Sequence, residues 1–137
     1  MVEVPPPIWK NINSVEEFER IVELSKEKPT MLFRYDSQLE DHKEAKSKLE
    51  KEWSTENTIE TYLLDSSANR NLSREISKLL GLKHYDLQVI LLADGTTMYD
   101  ETNELISYKK IQIALRIIKR TFKWMYDRES NLPPPTS

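Results

Sequence analysis

Cysteine is missing altogether from this 137-residue chain. Disulfides, thiolate nucleophiles and cysteine-ligated metals are excluded with it, and the absence suits a reducing compartment. Glycine is almost as scarce. Only Gly81 and Gly95 occur, one after a helical pattern and one inside a turn pattern, which rules out a glycine-rich phosphate cradle. No apolar run approaches the roughly 20 residues of a membrane span. Residues 1–10 lack the basic start and apolar stretch of a secretory signal, so a cytoplasmic location is expected. Charge of one sign is also lacking: a net −3 gives no global pull toward nucleic acid or membrane. His42 and His84 are the only histidines and stand far apart. Without a defined carboxylate partner they are a weak metal signal, so no metal and no cofactor is expected.

What remains is an alternation of short apolar strands and amphipathic helices. Residues 9–12 and 30–35 read as strands, the second a compact buried run around Met31-Leu32-Phe33. Between them Asn13 or Ser14 caps a helix with Glu16 and Glu17 in its first turn, and Val15, Phe18, Ile21, Val22 and Leu24 repeat at helical spacing. A charged helix at 42–53 places Ala45, Leu49 and Trp53 on one face. Residues 58–64 alternate as a strand. A helix at 69–80 turns Leu72, Ile76, Leu79 and Leu80 inward and ends at Gly81. Residues 88–93 form the most apolar strand, Asp94-Gly95 turns the chain, and 96–99 returns. A long helix is expected from 107 to 128. The order β-α-β-α-β-α-β-β-α implies parallel crossovers with an antiparallel closing hairpin, an α/β fold of thioredoxin-like arrangement with an extended last helix. One domain at 9–128 is expected between proline-rich tails at 1–8 and 129–137, which read as solvated ends or polyproline docking segments.

The likeness extends to individual residues. Phe33-Arg34-Tyr35-Asp36-Ser37-Gln38-Leu39-Glu40-Asp41-His42 is followed by Ala45, Leu49-Glu50 and Trp53. Further along stand Tyr62-Leu63-Leu64-Asp65, Arg70, Ser73, Ile76, and Gly81-Leu82-Lys83-His84-Tyr85-Asp86-Leu87-Gln88, then Gly95 and Tyr99. These landmarks, across residues 9–118, resemble the monothiol bacilliredoxin (YtxJ-type) family of thioredoxin-like proteins. Its matching strand end reads Phe-Lys-His-Ser-Thr-Arg-Cys-Ser-Ile-Ser, and its later loop reads Gly-Val-x-His-x-Ser-Pro-Gln.

The departures fall on the chemistry that the resemblance implies. Leu39 stands at the reactive cysteine, Leu87 at the cis-proline, and Thr102-Asn103 at a Ser-His pair. A monothiol redoxin attacks a mixed disulfide with a thiolate, and leucine has no nucleophilic atom. A trans bond before Leu87, a reshaped loop and loss of substrate docking are expected. The chain is therefore expected not to be an enzyme and to have no catalytic residue. Tyr35, Ser37, Leu39, His84, Asp86, Leu87 and Asn103 are its vestigial active-site positions. His84 reads as a loop or core histidine with a satisfied hydrogen bond rather than a metal ligand. The acids at 16, 17, 19, 40, 41 and 44 read as solvated helix ends. No nucleophile elbow exists, because no serine is flanked by the glycines it needs.

The last helix carries two apolar stripes. Ile111, Ala114, Leu115, Ile118, Phe122 and Met125 suit packing on the sheet, while Ile113, Ile117 and Trp124 form a second stripe with Arg120 among them. The outer stripe meets either residues 4–8 or a partner, and exposed branched and aromatic residues rimmed by arginine favour the partner. The primary expectation is a redox-inactive protein-binding or scaffold subunit, joining a protein partner or a second copy through this helix. Contact with an anionic membrane surface is an alternative for a basic amphipathic helix. Nucleic acid is not expected without a stacking platform or groove-reading motif. The alternative function is non-catalytic binding of a small thiol or anion at the vestigial site.

Overall fold

The most apolar segments of the chain become the centre of a five-stranded mixed sheet. The computed structural model describes residues 7–54 and 59–123. The elements are β1 (Trp9–Asn11), α1 (Val15–Leu24), β2 (Thr30–Tyr35), α2 (Glu40–Glu52), β3 (Glu60–Asp65), α3 (Arg70–Leu80), β4 (Gln88–Ala93), β5 (Thr96–Thr102), one 3-10 turn (Asn103–Leu105) and α4 (Tyr108–Thr121). The sheet order is β1-β3-β2-β4-β5. β1 and β2 run parallel to β3, whereas β4 runs antiparallel to both β2 and β5. The antiparallel part is therefore larger than the closing hairpin, and the connection through α3 is not a parallel crossover. β4 is buried at every position, as a central strand covered on both faces must be.

Alternation along β2 and β4 divides the core into two layers. Met31, Phe33, Val89 and Leu91 face α2 and α4, meeting Leu49, Trp53, Ile111, Leu115 and Ile118. Leu32, Ile90 and Leu92 face α1 and α3, meeting Phe18, Ile21, Leu72 and Ile76. Local chemistry sets the boundaries. Ser14 caps α1 by accepting from the Glu17 amide, while the Glu17 carboxylate accepts from the Asn13 amide, a reciprocal arrangement close to a capping box. Asn69 caps α3, and Gly81 closes it at φ 68°, the left-handed position glycine fills without strain. Asp94 at φ 55° and Gly95 at φ 78° make the β4–β5 turn, as a two-residue hairpin requires.

Several expectations need correction. α2 begins at Glu40, β3 at Glu60, and β5 continues to Thr102. Leu79 is 50% exposed, and Ser73 and Ser77 occupy the inward side of α3, because that side faces a buried arginine described below. In the long helix expected to residue 128, Phe122 departs from helical geometry (φ −111°, ψ 48°) and Lys123 is helical again, while residues 124–128 lie outside the described residues. Trp124, Met125 and the tail at 129–137 lie outside the described residues, as does the N-terminal tail apart from Pro7 and Ile8. Among the described residues no helix is long and apolar enough to cross a membrane.

Candidate functional site

The site expected from the resemblance begins where β2 runs into α2. Leu39 is the N-cap of α2 and offers the helix no side-chain hydrogen bond. Its side chain is 43% exposed, with the exposed acids Glu40 and Asp41 directly after it. The loop before it is tied down from within. The Asp36 amide donates to His42 Nδ1 at 3.1 Å, Asp36 Oδ1 accepts from the Gln38 amide at 2.8 Å, and Arg70 Nη2 lies 3.4 Å from Asp36 Oδ2. The Ser37 hydroxyl and amide donate to Asp65 at 2.5 and 3.1 Å, and Ser67 adds bonds at 2.7 and 3.1 Å. Burial works against the Asp65 carboxylate, but the bonds from Ser37 and Ser67 outweigh it and hold its pKa below the usual value. Such a carboxylate is a weak base, so the Ser37–Asp65 pair does not make an activated nucleophile. Tyr35 packs beside Phe33, with Lys46 Nζ 5.8 Å from its ring centre, and burial raises its phenol pKa.

Beneath the 81–88 segment lies a buried polar centre around Arg34. Arg34, next to the end of the buried strand β2, is 0% exposed. Its Nη1 donates to the Ser73 carbonyl (2.7 Å), Ser73 Oγ (3.3 Å) and Ser77 Oγ (2.7 Å). Its Nη2 donates to Gln88 Oε1, and Gln88 Nε2 donates to Asp100 Oδ2 at 3.2 Å. Ser73 Oγ also lies 3.0 Å from Ser66 Oγ and 3.0 Å from His84 Nε2. Burial lowers the Arg34 pKa to about 10, opposed by Asp86, so the guanidinium stays charged at neutral pH. Burial, then the Arg34 charge, lowers the His84 pKa, leaving a neutral imidazole. The signal for this centre was visible: one base inside the run Met31-Leu32-Phe33-Arg34-Tyr35, with serines at 73 and 77 on one helix face.

The structure thus divides the vestigial positions. Tyr35, Ser37 and Leu39 sit at the tip of β2 and α2. His84 approaches Asp86 at 3.8 Å and joins the Arg34 network. Leu87 is 5% exposed and packs in the core, and its carbonyl accepts from the Asn103 amide at 3.1 Å. Asn103 itself is exposed at φ 51°. On α4, Ile113 and Ile117 are 45% and 58% exposed, and Arg120 is exposed beside them. Among the described residues no group of three histidine or acidic side chains is placed to hold a metal ion.

Comparison with known proteins agrees with this geometry. A thioredoxin-fold protein provisionally described as an oxidoreductase superposes with a TM-score of 0.67 at 20% identity, over 76% of this chain and 90% of that one. Thioredoxin f from spinach chloroplast matches at 0.61 and 19%, over 86% and 99%, and the Malassezia sympodialis thioredoxin at 0.61 and 14%, over 85% and 95%. At these identities the likeness is one of fold. No curated protein sequence matches the chain. The model of the family described as monothiol bacilliredoxin BrxC matches residues 10–111, so with its helix-flanked mixed sheet the chain belongs to the monothiol bacilliredoxin family, as a member without a cysteine.

Proposed function

We propose that this protein is not an enzyme and works by binding, as a redox-inactive thioredoxin-fold module or scaffold subunit in the cytoplasm. One observation carries the reading: Leu39 occupies the start of α2, where the family keeps its thiolate, and the chain holds no other sulfur nucleophile. Thiol–disulfide exchange needs a thiolate, and the methionine thioethers cannot supply one. The rest of the site supports the same reading. Leu87 is withdrawn into the core, and its carbonyl is held by Asn103. The surface offered for binding is the outer side of α4, where Ile113 and Ile117 stand exposed.

The test has two arms. The purified protein is assayed for reduction of a mixed-disulfide substrate, and turnover would overturn the reading. Partner capture is then compared between the wild type and Ile117→Asp, an exposed position whose replacement leaves the fold intact. A partner retained by the wild type and lost by the variant is expected. Equal capture would remove α4 as the binding surface. The second reading, a small thiol or anion bound at the vestigial site, gains no support from this geometry. Ser37 bonds to Asp65 and Arg70 to Asp36, and the carboxylates of Asp36, Asp65 and Asp86 disfavour an anion.

A further inference from the structure

The outer side of α4 differs from the rest of the molecule in sign as well as in polarity. Between Tyr108 and Lys123 the chain carries Lys109, Lys110, Arg116, Lys119, Arg120 and Lys123 and no acid. The whole chain carries −3, so the remainder carries −9. Lys110 is engaged at the helix start, 3.7 Å from Glu101. Lys109, Arg116 and Arg120 are exposed and make no ion pair among the described residues. At 3.6 residues per turn, Ile113 and Ile117 form one short row, and Arg116 and Arg120 form another beside it. Within each row the spacing is about 6 Å, one helical turn.

We propose that the occupant of this face is an acidic amphipathic helix of a partner protein, with apolar side chains one turn apart on Ile113 and Ile117 and carboxylates on Arg116 and Arg120. This rests on the reading of α4 as the binding surface and names the chemistry of its partner. Guanidinium groups pair with carboxylates through paired N–H donors, and two i,i+4 rows match the repeat of a helix better than that of a strand. A second copy of this chain does not fit. A two-fold α4–α4 contact would set the arginines of one copy against the bases of the other, a like-charge cost without compensation. A flat anionic membrane fits less well than a narrow helix. Among the described residues the apolar part is two isoleucines wide, and α2, which covers the same face of the sheet, exposes Glu40, Asp41, Glu44 and Glu52 against Lys43, Lys48 and Lys51.

The full chain is titrated with two synthetic helical peptides sharing one Leu i,i+4 row, one flanked by glutamates and the other by lysines. The same protein is mixed with vesicles of 30% phosphatidylglycerol in phosphatidylcholine, and its mass in solution is read by light scattering. The glutamate peptide is expected to bind at least tenfold more tightly than the lysine peptide at low salt. Raising salt should weaken it, and the Arg116→Glu, Arg120→Glu variant should reverse the preference. Circular dichroism of the variant checks that it is folded. Equal binding of the two peptides, absence of binding by the glutamate peptide, binding to vesicles alone, or a dimer abolished by that variant would each overturn the proposal. A partner lost on Ile117→Asp but retained by the double-glutamate variant would reject the acidic helix while leaving the binding surface intact. Indifference to both variants would reject the surface itself.

Discussion

Two regions at the Tyr35 end of β2 are built differently. The tip around Leu39 is exposed, and where the resemblance implies a thiol it carries a leucine followed by the acids Glu40 and Asp41. The centre around Arg34 is buried, and its groups are bonded together, Ser73 and Gln88 to the guanidinium and His84 to the Ser73 hydroxyl. The difference follows from what each substitution costs. An exposed side chain at a helix start can change for a few tenths of a kcal/mol. Removing one member of a buried polar network leaves the others desolvated and unpaired, at about 1–3 kcal/mol per group. The tip can therefore change at little cost in stability, whereas the network that holds the 84–88 segment to α3 cannot.

Arg34→Met is the strongest way to break this comparison. It conserves most of the volume but abandons Ser73, Ser77 and Gln88. A loss of about 3 kcal/mol is expected in urea unfolding at pH 7, with Arg34→Lys losing less because an ammonium can reach some of the same acceptors. A loss below about 1 kcal/mol for the methionine variant would mean that the network is not what holds this region. Ser37→Ala addresses the tip. It removes one of the two bonds from Ser37 to Asp65, since the Ser37 amide remains, and a loss of about 1 kcal/mol is expected. A tip variant that cost as much as the arginine variant would erase the contrast.

The two regions should also fail at different pH. The His84 pKa is lower folded than unfolded, so its contribution is complete above its unfolded value of about 6.5 and is lost as pH falls through the folded one. The Asp65 pKa is lowered too, and its contribution is complete above about 3.9 and lost further down. The urea midpoint should fall between pH 7 and pH 5 in the wild type. His84→Gln should flatten that fall without affecting the acid unfolding below pH 4. An unchanged slope in the variant would detach His84 from the network.

How much of this could be read beforehand depends on what each residue's environment needed. The boundaries of β2 and β4 were legible because an apolar run ending at a polar residue leaves little freedom, as were the Gly81 and Asp94-Gly95 turns, whose positive φ restricts the residue type. The direction of β4 was not legible. An apolar strand reads the same parallel or antiparallel, and only the pairing of Leu32 with Ile90 decides it. The inward side of α3 was misread at Leu79, because periodicity counts apolar residues while Arg34 recruits Ser73 and Ser77 instead. The resemblance marks Leu39 and Leu87 alike as departures from the family pattern. Their opposite fates, one exposed and one in the core, depend on tertiary packing.

The smallest expected effect on stability belongs to the most pointed substitution, Leu39→Cys. The position is 43% exposed and makes no cap bond, so a change within about 0.5 kcal/mol is expected. A thiol at a helix start is ordinarily acidified by the helix dipole, below its free value of about 8.5. Here two carboxylates in the first turn, Glu40 and Asp41, oppose that effect. The family sequence has serine and isoleucine at those places. The restored thiol should therefore alkylate readily, as an accessible group, but with a pH profile near or above that of a free cysteine, and it should not turn over a mixed disulfide. Leu39→Cys combined with Glu40→Ser and Asp41→Ile should bring the profile down. A single cysteine variant that titrated well below pH 7 would show that the tip still organises a thiolate, and that its loss of chemistry goes no deeper than one side chain.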